Sequence, residues 1–98
     1  MTREELEAKV RALAEVAATL KEPDRSLKLG DIDQLEIELA AMALEETRAR
    51  LERVPLPDVE QMDAKIAAAR DATKSQLFRV DAFNSALGLL KTAAGLLL

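Results

Sequence analysis

The sequence predicts an all-α fold, a helical hairpin followed by a long third helix. Three observations carry that prediction. Apolar residues recur at helical spacing along most of the chain, beginning with Leu6, Val10, Leu13, Ala17 and Leu20. The prolines stand at 23, 55 and 57, so they separate periodic segments and do not interrupt them. From position 59 to 97 one seven-residue rhythm holds, in which Val59, Ile66, Thr73, Val80, Leu87 and Ala94 interleave with Met62, Ala69, Gln76, Phe83, Leu90 and Leu97.

The first helix is expected over about 3–22. Thr2 is a good N-cap and Glu5, three residues on, completes a capping box. Val16 widens its apolar stripe, and Pro23 ends it because proline has no amide to donate and disfavours helix at the residue before it. Residues 23–30 then read as a loop, with Leu27 and Leu29 folded over the end of the hairpin.

The second helix is expected over 32–53, capped by Asp31 with Gln34 in the reciprocal position. It carries two apolar stripes. Ile32, Leu35, Leu39 and Met42 form one, and Ile37, Ala40, Leu44 and Leu51 form another about 180° away at about 100° per residue. A helix apolar on two sides is sandwiched between neighbours, so Leu39, Met42, Leu44 and Leu51 are all expected to be buried.

Val54, Pro55, Leu56 and Pro57 read as a stiff connector, and Asp58 with Gln61 as the cap of a third helix over 59–94. Unbroken, that helix spans about 54 Å, against about 30 Å for the first and about 33 Å for the second, and leaves about 20 Å of seam without cover. Either the helix breaks near Asn84, Ser85 or Gly88 and folds back as a four-helix bundle, or it stays straight and pairs with another subunit. The rhythm crosses Asn84 and Gly88 without a slip, which favours the straight helix, coiled-coil pairing and a homodimer or higher oligomer. Thr73 and Gln76 place polar side chains in mid-seam, either as a solvated layer or as a layer that sets register.

Composition narrows the function. The 98 residues suit one domain with one modest core, and the apolar share is mostly Ala and Leu. Cysteine and histidine are absent, which removes thiolate chemistry, the usual general base and the usual neutral metal ligand. Net charge is -4, with eight acids against five bases over 23–54. No basic face emerges, and Phe78 and Phe83 are the only aromatics, so nucleic acid is not an expected partner. The N-terminus resembles neither a signal nor a transit peptide, which points to the cytoplasm.

Candidate chemistry is sparse. Asp31, Asp33, Glu36 and Glu38, with Glu45 and Glu46 beyond, form the densest acid cluster, but they lack the calcium-loop spacing and the Glu-x-x-His pairs of di-iron bundles. Ser26, Ser75 and Ser85 have no histidine to activate them, and Lys91 reads as a lysine that extends its head to water. No catalytic residue, cofactor or metal site is expected.

The apolar end, residues 84–98, is too short to span a bilayer, which takes about 20 residues. Its leucines almost encircle a helix, while Gly88 and Gly95 admit a close neighbour. The sequence therefore points to a protein–protein interaction module, an adaptor, assembly factor or chaperone, whose contacts are Phe83, Leu87, Gly88, Leu90, Gly95 and Leu97. The alternative is a peripheral membrane-associated protein using residues 84–98.

Overall fold

The computed structural model describes residues 1–96, and among them five helices and no strand. These are α1 (Arg3–Ala18), α2 (Asp24–Ala41), α3 (Leu44–Glu52), α4 (Leu56–Arg70) and α5 (Gln76–Ala94). The all-α class follows the apolar periodicity. The helix boundaries differ from the expected ones in five places, each with a local or packing cause.

α1 starts as expected. The Thr2 hydroxyl accepts a hydrogen bond from the Glu5 N–H at 3.1 Å. It ends at Ala18, earlier than position 22, and Thr19 and Leu20 tighten into a turn bonded to the Val16 and Ala17 carbonyls. That turn carries Leu20 into the interior.

The segment expected to be a loop at 23–30 is helical. Pro23 opens α2 as well as closing what precedes it, because its fixed φ suits a helix start. The Glu22 carboxylate accepts from the Ser26 N–H at 2.7 Å, which satisfies a free donor of the first turn. Gly30 and Asp31 therefore lie inside the helix, and Asp31 pairs with Lys28 at 3.5 Å where a cap was expected. Leu27 is exposed and does not cover the hairpin end, whereas Leu29 is half-buried.

The expected helix over 32–53 is two helices. The chain is extended at Met42 and Ala43, and α3 leaves in a new direction. Residues 41–44 are Ala, Met, Ala and Leu, all compatible with helix, so packing sets this break and not propensity. One straight helix cannot bury stripes on opposite sides in a chain this small. Splitting it lets α2 turn Ile32, Leu35 and Leu39 inward and α3 turn Thr47 and Leu51 inward. The two-sided expectation is corrected accordingly: Leu39 and Leu51 are buried, Met42 is half-buried, and Ile37 and Leu44 are exposed.

The expected helix over 59–94 is also two helices. It begins at Leu56, with Pro57 and Asp58 in the first turn, where proline needs no amide partner and a carboxylate complements the dipole. It ends at Arg70 and resumes at Gln76, while Asn84, Ser85 and Gly88 all lie within unbroken α5. Two local devices make the turn. The Asp71 carboxylate accepts from the Thr73 N–H at 3.0 Å and from the Thr73 hydroxyl at 2.6 Å. Ser75 then caps α5, its hydroxyl accepting from the Phe78 N–H at 3.2 Å. Thr73 sits exposed in this turn. Gln76 bonds the Lys21 backbone and the Asp24 carboxylate, joining the start of α5 to the start of α2.

Folding back gives the long seam its cover from within the chain. α4 and α5 pair most extensively, and α1 packs on α2, α4 and α5. Leu6, Val10, Leu13, Leu35, Leu51, Met62, Phe83 and Leu90 fill one core. Arg79, only 8% exposed, crosses the layers: its Nε donates to the Ala69 carbonyl at 2.8 Å and its Nη2 to the Thr19 hydroxyl at 2.7 Å. It thereby places a cation at the C-terminal ends of both α4 and α1. Lys9 pairs with Asp63 between α1 and α4.

Candidate interaction surface

The residues that the sequence marked for contact are mostly interior. Phe83 and Leu90 have no accessible surface and Leu87 is buried; a partner reaches these side chains only if the bundle opens. Gly88 is half-exposed, with nothing within 4 Å of where a Cβ would stand. Gly95 ends α5 at φ +81°, and the Leu96 N–H returns to the Lys91 carbonyl at 2.9 Å. The Arg50 side chain from α3 covers it so closely that a Cβ there would sit 2.5 Å from Arg50 Cδ. Leu97 lies outside the described residues. The membrane alternative also drew on Leu87, Leu90 and Ala94, and these face the core. No helix among the described residues is long and apolar enough to cross a membrane.

The acids are spread along the helices. Among the described residues no three gather as metal ligands, and Glu46 pairs with Arg50 at 3.4 Å on α3. Of the serines, Ser75 caps α5 and Ser26 is bonded to Glu22, while Ser85 is exposed. Arg3, half-buried, and Arg79, buried, each line a cleft. One, about 380 Å³, lies between α1 and α2 beside Arg3, whose Nε meets Glu7 at 3.1 Å and whose Nη2 donates to the Leu39 carbonyl at 3.3 Å. The other, about 310 Å³, adjoins Thr19, Arg70 and Arg79. The Thr19 hydroxyl there donates to the Val16 carbonyl at 2.7 Å and accepts from Arg79, so it is committed to structure and not poised to attack a substrate.

A different set of apolar side chains is at the surface. Leu27 and Ile37 on α2, Leu44 at the start of α3, Leu56 at the start of α4, and Leu77 and Phe78 at the start of α5 are all exposed. Phe78 is partly covered by Lys74, whose Nζ lies 5.7 Å from the ring centroid. Leu27 stands three residues after Asp24 and Leu77 directly after Gln76, the two residues whose bond ties α2 to α5. Sequence reasoning assigned Leu27, Ile37 and Leu44 to covered positions. Ile37 did carry a usable signal, since it lies opposite the Leu35 and Leu39 stripe.

Over the described residues, fold and surface together define a small bundle of five helices with apolar residues displayed at its periphery. Compared with protein-family models, curated proteins and solved structures, the chain matches none.

Proposed function

We propose that this chain is a non-enzymatic protein–protein interaction module, and that it docks through exposed apolar helix surfaces and not through its C-terminal seam. The observation that carries this reading is the exposure of Leu27, Ile37, Leu44, Leu56 and Leu77, between 60% and 74%, in a chain that has a filled core to bury them in. Large apolar side chains left in water favour a covering partner where they share one side of a helix, as Leu27 and Ile37 do on α2. Another protein suits that surface better than a second copy does, because the seam that called for self-pairing is folded back on itself.

The test is affinity capture from the native host with the wild-type chain and with a variant carrying Leu27→Gln, Ile37→Gln, Leu77→Gln and Phe78→Gln. All four sites are exposed, so circular dichroism should match between the two. The wild type is expected to retain a stoichiometric partner that the variant loses. Identical captured sets would overturn the reading.

A further inference from the structure

We propose that the outward face of α2 is a docking surface for a basic amphipathic helix of another protein. This rests on the interaction reading above and names the element and the chemistry of the partner.

The face is a heptad stripe. Leu27, Gly30, Gln34, Ile37 and Ala41 succeed one another by alternating steps of three and four, and all five are exposed. Steps of this kind lay residues along one side of a helix, the geometry that receives a second helix. The opposite side of α2, with Ile32, Leu35 and Leu39, is used against the core. Leu27 at 60% exposure and Ile37 at 64% are the two large knobs.

Gly30 supports the same conclusion. Glycine inside a helix costs about 1 kcal/mol relative to alanine. No internal demand accounts for it here, since its φ is ordinary and a Cβ would meet nothing within 4 Å. A glycine on the outer face lets another backbone approach closely, and the small Ala41 continues that path.

Charge identifies the occupant. The positions flanking the stripe hold Asp31 and Glu38 on one side and Ser26, Asp33 and Ala40 on the other, with no base among them. Asp31 is partnered by Lys28, but Asp33 and Glu38 have no cationic group within 4.0 Å among the described residues. Flanking charges set partner choice in helix pairing. A second copy crossing at Gln34 would bring acids against acids, whereas a helix with Lys or Arg beside its apolar stripe would find counter-charges on both sides. Gln34 at the centre supplies a polar contact that fixes register.

The probe is a pair of synthetic four-heptad peptides with Leu at both seam positions, one with Lys and one with Glu at the flanks, followed by fluorescence anisotropy. The Lys peptide is expected to bind the wild type, to bind Ile37→Lys at least about tenfold more weakly, and to be preferred over the Glu peptide by about tenfold. The double variant Asp33→Lys, Glu38→Lys is expected to invert that preference. No binding of the Lys peptide to the wild type, equal binding to Ile37→Lys, or a preference that the double variant leaves unchanged would each overturn the proposal. So would a wild-type dimer in sedimentation that Ile37→Lys dissolves, which assigns the face to a second copy. Pelleting with phosphatidylcholine vesicles that Ile37→Lys abolishes would assign it to lipid and overturn the proposal too. In affinity capture, a native partner kept by Ile37→Lys but lost with Leu77→Gln, Phe78→Gln would overturn the α2 assignment and leave the interaction reading standing. A captured set unchanged by either variant would overturn both.

Discussion

Asp71 accepts hydrogen bonds from the hydroxyl and the N–H of Thr73, and these bonds, with smaller help from the charges of Lys74 and Arg79, hold its carboxyl below the usual carboxylate range. A carboxyl depressed in the folded state binds its proton more readily once the chain unfolds. Its contribution to stability is therefore fully present above the ordinary Asp pKa, about 3.9, and is lost as pH falls further through the folded value. Glu22 behaves alike through its bonds from Ser26. Asp71→Ala should lower the melting temperature at pH 7 and reduce the further loss between pH 4 and pH 2. Parallel melting curves of the two proteins across that range check this, and an unchanged acid limb in Asp71→Ala would place the titration elsewhere.

At the scale of helices, Leu39 and Leu44 stand on either side of the Met42–Ala43 break and differ sharply in burial. Leu39→Ala is expected to cost about 2–4 kcal/mol in urea denaturation, and Leu44→Ala to stay within about 0.5 kcal/mol of wild type. Equal losses would mean that α3 packs differently. This break was not legible in the sequence, because Ala, Met and Leu are all good helix formers and only the competition between two apolar stripes disfavours a straight run. The break at 71–75 left signals in the sequence that the heptad reading did not use, placing any break near Asn84 or Gly88 instead. Asp71 and Ser75 are turn and cap residues, and Thr73 and Gln76 are the two polar members of the seam. The heptad count nevertheless ran on, since Ala69 and Phe83 are fourteen positions apart whether the chain goes straight or reverses. Sequence period records spacing along the chain and says nothing of direction in space. The cap at Thr2 was read correctly because both of its partners are local. The apolar positions of α5 were expected to meet a partner and are instead buried within the chain, because burial by α4 or by a partner helix leaves the same sequence pattern.

For the molecule as a whole, the fold-back changes what a charge at position 90 does. Leu90 is fully buried among the other helices of the same chain. Leu90→Glu should therefore cost more than about 3 kcal/mol, with helix content and cooperative melting falling together, since an unpaired carboxylate would enter an apolar interior. Circular dichroism and sedimentation on the same sample separate the cases. Intact helix with altered sedimentation would show that this side chain faces a partner after all.

The short turn between α4 and α5 also bears on the order in which the protein assembles. These two helices are the most extensively paired and are joined by only residues 71–75, whereas α1 finds α4 and α5 across more than half the chain. Contacts close in sequence carry the smaller loop-closure cost and form early in folding. The α4–α5 pair is thus the expected nucleus, with α1 docking after the rate-limiting step. In a chevron analysis, Met62→Ala on α4 should mainly slow refolding, and Leu6→Ala on α1 should mainly hasten unfolding. The reverse pattern would place the nucleus in the N-terminal hairpin.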